Sequence, residues 1–209
     1  LYHSKLIMNI YIFGAGASYG RAPLMNDFIP EMIEKDVEVW HALNNYVRWN
    51  PNIYPEEVYS NFNIETLLGF IDYIIPREID FGNINDDMMS YLEHKSIFVE
   101  GIHKILENTL EKNDETYCKF LEKVTTDDII VSFNYDCLLD NEIKNKYGKV
   151  NYGVIKEGKN SKESPLYLQL HGSINWFMCP TCNDILLTKS IKENRKIRQG
   201  GFTYGCQNH

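Results

Sequence analysis

The sequence predicts an α/β fold with a parallel sheet, because three short apolar segments each run into a loop of glycine and polar residues. The segments lie at 10–13, 129–133 and 166–170. Apolar runs of this length, bounded by turn residues, are typical of strands buried in a parallel sheet. Helical patterns fill most of the chain between the first two segments, so we expect a helical layer or subdomain at 27–126 beside the sheet.

The loops after the predicted strands carry the residues best suited to bind a ligand. In chain order they contain Gly14, Ala15, Gly16, Ala17 and Ser18, then Asn134, Tyr135 and Asp136, then His171, Gly172 and Ser173. Ligands of open parallel sheets bind beyond the carboxyl ends of the strands. If the three strands are neighbours, a phosphate-binding turn, an amide with a carboxylate, and an imidazole meet in one cleft. This combination suits a dinucleotide and a reaction at its ribose.

Apolar spacing and capping residues predict the helices in order. Pro30 in a first turn begins a helix over 31–46, and Asn63 caps a second one that stops at Pro76. A long helix follows over about 88–110, and Asp114 helps to cap the next. The last helix follows Asp136 and ends near a glycine at 148, after which 150–154 has the pattern of a short strand.

Length and composition predict one globular domain in a reducing, cytoplasmic setting. The chain has 209 residues and a net charge of −8, so it can bury one sizeable core, and nucleic acid is not expected as a partner of this domain alone. No apolar run approaches the ~20 residues that span a bilayer, and we expect neither a secretory signal nor a membrane partner. The five cysteines indicate metal or redox chemistry rather than disulfides, with Cys118 and Cys137 buried as small apolar residues.

The glycine loop and the Asn134–Asp136 pair each have a ligand-binding interpretation and a purely structural one. Glycines after a strand let a pyrophosphate approach the backbone, and Ser18 can donate to a phosphate oxygen; the alternative is a tight turn. Asn134 can hold a ribose hydroxyl or orient a water, since an amide both donates and accepts. Asp136 can accept from a carboxamide, or it can simply cap the helix that follows.

His171 is the strongest catalytic candidate, because imidazole titrates near neutrality and can take a proton from a ribose hydroxyl or a water. A structural histidine is the alternative. Four further residues, Cys179, Cys182, Cys206 and His209, form two close pairs with spacing suited to a structural zinc in a small module at 176–209. A redox role for the first cysteine pair is the weaker interpretation, since no helix follows it.

These motifs, in this order, resemble those of the sirtuins, and more closely those of bacterial sirtuin-like proteins of anti-phage defence. The 14–18 loop is similar to the sirtuin GAG-x-S loop, and Asn134-x-Asp136 to its N-x-D. His171-Gly172 is similar to the HG pair, and Cys179-x-x-Cys182 to the start of the zinc module. The resemblance implies a Rossmann-like parallel sheet with a large helical insertion and a small zinc module, all in one domain over 1–209.

The resemblance also implies an NAD glycohydrolase that releases nicotinamide and ADP-ribose, active in bacterial defence. In that role the 14–18 loop, Gly172 and Ser173 would bind NAD, while Asn134, Asp136 and His171 would act at the nicotinamide ribose. Phe133 stands where deacetylases carry glutamine, which does not favour deacylation. An NAD-dependent protein deacylase and a non-catalytic module that senses NAD or ADP-ribose remain the alternatives. We expect a fused or associated sensor domain as a partner, and a homo-oligomer stays open.

Overall fold

A computed structural model describes residues 8–49, 63–74, 87–153, 163–178 and 185–187. The chain forms two compact units, one made of 1–21 with 106–209 and the other of 22–105. The strands are β1 (Ile10–Phe13), β2 (Ile129–Ser132), β3 (Leu166–Gln169), β4 (Trp176–Met178) and β5 (Ile185–Leu187). The α-helices are α1 (Phe28–Lys35), α2 (Val37–Trp49), α3 (Ile64–Ile74), α4 (Asp87–Leu106), α5 (Glu115–Leu121) and α6 (Leu138–Tyr147).

The first unit contains a three-stranded parallel sheet in the order β1–β2–β3. Its register places Phe13 beside Ser132, and Ser132 beside Gln169. The carboxyl ends of the strands therefore lie level at one edge. The predicted α/β class and parallel sheet are confirmed. Beyond the sheet, β4 and β5 form an antiparallel pair that the sequence patterns did not predict.

One face of the sheet packs against α5 and α6. Ile130 and Tyr167 are completely or almost completely buried, together with Leu138 and Ile143 of α6 and Leu121 of α5. Burying an aliphatic side chain of this size stabilises the fold by about 1.5–3 kcal/mol. This core packs β2 and β3 against α6, and the second and third polar loops begin at the ends of these two strands.

The opposite face of β1 differs from the prediction of a buried strand. Ile10 and Ile12 are 57% and 69% exposed, while Tyr11 and Phe13 turn towards the aromatic core. Successive side chains of a strand point to opposite faces, and the described helices of this unit pack on the Tyr11 face. The prediction of burial for this strand is therefore wrong on one face.

In the second unit, the single helix predicted over 31–46 is wrong, because α1 and α2 are separated at Asp36. Asp36 adopts an extended backbone, with φ −148° and ψ 110°. Its side chain accepts a hydrogen bond from the backbone N–H of Glu38 at 3.0 Å and forms an ion pair with Lys104. Asp36 thus caps α2, which accounts for the break. A Cβ added at Gly101 would lie 2.5 Å from Met32 Cε, so α4 packs closely against α1.

Three predicted helix ends are confirmed, and the one predicted at Pro76 lies outside the described residues. Asn63 Oδ1 accepts from the N–H of Glu65 at 2.8 Å, and Asp114 accepts from the N–H of Tyr117 at 3.0 Å. Gly148 ends α6 with φ 78°, a conformation that favours glycine. The long helix is shorter than predicted, since it ends at Leu106 and continues as a 3₁₀ turn, Glu107–Thr109.

Two smaller predictions have mixed outcomes. Cys137 is buried as predicted, but Cys118 is exposed because it lies on the solvent side of α5, away from the buried Tyr117 and Leu121. The strand predicted at 150–154 is reduced to one parallel bridge between Asn151 and Leu166, and its last residue lies outside the described part. Within the described part of the chain, no helix combines the length and apolar character that crossing a membrane requires.

Candidate functional site

The three predicted loops leave the sheet at the same edge. The N–H of Phe133 donates to the carbonyl of Phe13, and the N–H of Leu170 donates to the carbonyl of Ser132, each at 3.0 Å. These bonds carry the strand ladder one residue past the sheet, so the loops begin side by side. The prediction that the three strands are neighbours is confirmed, and their loops share one end of the sheet.

The glycine loop forms a short 3₁₀ turn over Ala15–Ser18, closed by a bond from the N–H of Ala17 to the carbonyl of Gly14 at 2.9 Å. Gly14 has φ −122°, which any residue can adopt. A Cβ added at Gly14 or Gly16 would meet no atom of the described residues within 4 Å. Packing against the described part of the chain does not account for these two glycines, and the backbone of Gly14 does not require glycine. Open space above them is what close approach of a ligand to the backbone requires.

Ser18 is turned into the protein rather than towards solvent. Its side chain is 1% exposed, and its hydroxyl oxygen lies 3.0 Å from Tyr117 Oη and accepts from Asn134 Nδ2 at 3.0 Å. Ser18 therefore connects the first loop to the second. Its predicted contact with phosphate stays a prediction.

Asn134 is 7% exposed, and both its backbone and its side chain form hydrogen bonds. Its backbone N–H donates to Ser132 Oγ at 3.1 Å, and its side-chain nitrogen donates to Ser18. The side-chain oxygen, Oδ1, is buried and has no hydrogen-bond partner among the described residues. Buried polar atoms in proteins are nearly always paired. An unpaired amide oxygen beside the end of a parallel strand therefore indicates a position where a ligand or water donates.

Asp136 has the capping role that the sequence left open. One carboxylate oxygen accepts from the N–H of Leu138 at 3.1 Å, at the start of α6. Burial raises the pKa of Asp136, and the Ser18 hydroxyl and the Leu138 N–H oppose that rise in part. The capping interpretation is confirmed, and acceptance from a ligand carboxamide stays a prediction.

His171 is exposed at the end of β3. Its ring centroid lies 5.4 Å from that of Phe133 and 5.9 Å from that of Tyr135. These two aromatic residues flank Asn134, so the imidazole belongs to the same edge as the amide. Gly172, with φ 78°, makes the turn that follows, and its N–H donates to the carbonyl of Gln169 at 3.2 Å.

Ser173 links the third loop to the second. Its hydroxyl donates to the carbonyl of Tyr135 at 3.3 Å, and the N–H of Ile174 donates to the same carbonyl at 3.1 Å. The Ser173 oxygen also lies 3.5 Å from the thiol of Cys137, whose pKa is raised by burial. These contacts hold the backbone after His171 against the Asn134–Asp136 segment.

A buried carboxylate behind the site was missed by sequence reasoning. Asp140 of α6 accepts from the hydroxyls of Tyr152 and Tyr167 and, at 3.3 Å, from Gln169 Nε2. Burial raises its pKa to about 7. The cluster ties α6 to the end of β3, two residues before His171. The available signal was an acidic residue three positions before the buried Ile143, on the same side of α6.

Sequence reasoning also missed the interactions that support the glycine loop from α5. Arg21 donates to the carbonyl of Ala17 and, at 2.8 Å, to Thr116 Oγ1. Its Nε lies 2.7 Å from the buried carboxylate of Asp114. The loop that carries Ser18 is therefore fixed at its far end by a charged pair.

The four predicted zinc ligands, Cys179, Cys182, Cys206 and His209, lie outside the described residues. Within the described ranges, no three His, Cys, Asp or Glu side chains are grouped in a way that could hold a metal ion. The predicted zinc module thus stays a prediction.

Comparison with known proteins adds no family assignment to this geometry. The chain matches no protein-family model, and no curated protein matches it.

Proposed function

We propose that this protein is an NAD hydrolase that cleaves the nicotinamide–ribose bond and releases nicotinamide and ADP-ribose. The observation that carries the proposal is the buried, unpaired Oδ1 of Asn134 among the described residues, at the edge where the glycine loop and His171 also lie. A dinucleotide needs a site for its pyrophosphate and donors or acceptors for its ribose. The proposed domain is Rossmann-like, with a helical insertion and a zinc module, as in the sirtuin-like proteins that the motifs resemble.

In this proposal the glycine loop binds the pyrophosphate, and the reaction takes place at the nicotinamide ribose. Gly14 and Gly16 leave room for the pyrophosphate to approach backbone N–H groups. The bond between the ribose C1′ and nicotinamide breaks through an oxocarbenium-like state, with the bonding electron pair leaving on nicotinamide. Water then adds to C1′. Only groups that hold this transition state better than the ground state accelerate the reaction.

In this proposal Asn134 Oδ1 holds a ribose hydroxyl or the attacking water, and Asp136 steers the carboxamide. His171 takes the proton that water loses as it adds to C1′. Its exposure at the sheet edge favours this role, because a base must reach solvent or substrate. The products are nicotinamide, ADP-ribose and a proton. Depletion of NAD during phage infection is the biological role that the motif resemblance suggests, with a sensor domain as partner.

The test is incubation with NAD and quantification of nicotinamide and ADP-ribose. We expect turnover by the unaltered protein and at least a hundredfold lower kcat for His171→Ala and Asn134→Ala. Removing a positioned acid–base group costs about 10²–10⁴ in rate, and removing a positioned hydrogen-bonding group costs about 10²–10³. His41→Ala is the matched control, because His41 is exposed on α2, outside the unit that holds the sheet. Equal NAD consumption by all four preparations would contradict the proposal.

Binding of NAD or ADP-ribose without turnover would instead identify a sensor module. Nicotinamide release that depends on an acyl-lysine peptide would identify a deacylase. Calorimetry with NAD, followed by product analysis with and without such a peptide, separates the three activities.

A further inference from the structure

The hydroxyl of Ser18 has two buried hydrogen-bond contacts, to Asn134 Nδ2 at 3.0 Å and to Tyr117 Oη at 3.0 Å. An amide nitrogen can only donate, whereas either hydroxyl of the Ser18–Tyr117 pair can donate to the other. The Ser18 oxygen therefore accepts from Asn134 whichever way the two hydroxyl protons are arranged.

The orientation of the Asn134 amide decides which of its polar atoms is left without a partner. Its nitrogen faces Ser18, and Oδ1 is the buried acceptor with no hydrogen-bond partner among the described residues. With the nitrogen engaged by Ser18, Oδ1 is the amide atom that can accept from a bound molecule.

We propose that Ser18 is a positioning residue that orients the Asn134 amide so that Oδ1 accepts a hydrogen bond from an O–H group of the substrate complex. This role rests on the proposed function, because the O–H group would be a ribose hydroxyl of NAD or the attacking water. It differs from the phosphate contact that the sequence predicts for Ser18, since the hydroxyl is turned inwards and contacts Tyr117 and Asn134.

Tyr117 supports Ser18 from α5. Its ring is 2% exposed and packs edge-on to Phe13, with ring centroids 5.7 Å apart. Burial raises the pKa of Tyr117 to about 12, so the hydroxyl keeps its proton throughout the neutral range and stays able to share a hydrogen bond with Ser18. Removing this hydroxyl leaves Ser18 with one bond fewer but leaves the Asn134 contact in place. We therefore expect a smaller effect from Tyr117 than from Ser18.

The experiment compares Ser18→Thr with Ser18→Val, which have the same shape and differ only in the hydroxyl. We expect kcat for NAD hydrolysis to be at least tenfold lower in Ser18→Val than in Ser18→Thr, with ADP affinity equal within twofold. ADP carries the pyrophosphate without the nicotinamide ribose. A tenfold loss of ADP affinity in Ser18→Val would instead assign Ser18 to phosphate and overturn the proposal. Ser18→Ala against the unaltered protein gives the same comparison if the branched residues do not fit.

Tyr117→Phe should lower kcat severalfold, and Tyr147→Phe is its matched control. Tyr147 donates its hydroxyl to the carbonyl of Val124 at 2.9 Å, away from the three loops. We expect no change in kcat for this control. An equal loss in both variants would show that any missing tyrosine hydroxyl has the same effect, which would contradict a role for Tyr117 at the site.

A readout independent of activity separates failure of this inference from failure of the proposed function. The side-chain NH₂ protons of Asn134 can be followed by NMR and identified by their loss in Asn134→Asp. We expect slow solvent exchange in the unaltered protein and in Ser18→Thr, and at least tenfold faster exchange in Ser18→Val. Identical exchange in both variants would overturn the positioning role. Absence of NAD turnover in the unaltered protein, with this exchange pattern intact, would overturn only the proposed function.

The two sources of the O–H group are distinguished by an NAD analogue that lacks the 2′-hydroxyl of the nicotinamide ribose. If that hydroxyl donates to Oδ1, the rate difference between Ser18→Thr and Ser18→Val disappears with the analogue. If water donates, the difference persists. No difference between the variants with NAD itself would contradict both.

Discussion

The Nε of Arg21 lies 2.7 Å from Oδ2 of Asp114, and this pair joins the end of the glycine loop to the first turn of α5. The Asp114 side chain is fully buried, whereas that of Arg21 is 25% exposed. Asp114 also caps α5 by accepting from the N–H of Tyr117. One carboxylate therefore positions both the loop that carries Ser18 and the helix that carries Tyr117.

Removing Arg21 should destabilise the protein through the charge that it leaves behind. We expect Arg21→Leu to lower the free energy of unfolding by about 2–3 kcal/mol, because Asp114 stays buried without its cation. The double variant Arg21→Leu with Asp114→Asn should lose less than the sum of the single variants. Urea denaturation measures all three. Lys119→Leu, which breaks an exposed pair with Glu115, is the control and should change stability little. Strict additivity would contradict coupling between Arg21 and Asp114.

The raised pKa of Asp140 predicts that the stability of the protein depends on pH. Burial raises its pKa to about 7 in the folded protein, so the folded state holds a proton that the unfolded state releases near pH 4. Its contribution to stability is therefore fully present below about pH 4 and is lost as pH rises towards 7. Asp140→Asn removes this dependence. The stability of Asp140→Asn relative to the unaltered protein should rise with pH in this window, by up to about 1.4 kcal/mol per pH unit. Chemical denaturation at pH 5 and pH 7 provides the measurement, and a constant difference would contradict the raised pKa.

The lowered pKa of Asp128 predicts the opposite dependence of stability on pH. Burial alone would raise its pKa, but hydrogen bonds from the backbone and side chains of Thr125 and Asn9 outweigh burial and lower it. The stability that it contributes is present above the unfolded-state pKa near 4 and is lost as pH falls through the lower folded-state pKa. At pH 7, Asp128→Asn should cost about 2 kcal/mol, since hydrogen bonds to a charged group are lost. The adjacent, exposed Asp127 supplies the control variant Asp127→Asn, which should leave the unfolding free energy unchanged.

Substituting the glycines of the first loop should weaken ligand binding without changing stability. Gly14→Ala and Gly16→Ala place a methyl group in open space, so we expect thermal unfolding to be almost unchanged. NAD affinity should fall at least tenfold in both, because the methyl group occupies the space proposed for the pyrophosphate. Gly172→Ala is the contrasting variant. Its backbone φ of 78° strains alanine, with an expected cost of about 1–2 kcal/mol. Unchanged NAD affinity in the first two variants would argue against a phosphate site at this loop.

The local patterns of the sequence were sufficient for the parallel sheet and for several helix ends. Short apolar runs bounded by glycine or polar residues identified β1, β2 and β3, because strand formation depends on local burial and turn chemistry. Asn63 and Asp114 were recognisable as caps for the same reason. The division of the predicted 31–46 helix at Asp36 could not be recognised from local patterns, because Asp36 pairs with Lys104, which lies far along the chain in α4.

For the candidate site, the sequence alone determined which residue types follow each strand, and the parallel register then required them to emerge at one edge. Only the tertiary structure decided what each side chain does there. Ser18 and Asn134 are 116 residues apart in the chain, yet they share a hydrogen bond. Asp140, Tyr167 and Gln169 form a buried cluster behind His171 that no local pattern indicates. Hydrogen-bond direction and burial are properties of neighbours in space, and neighbours in space are determined by packing rather than by order along the chain.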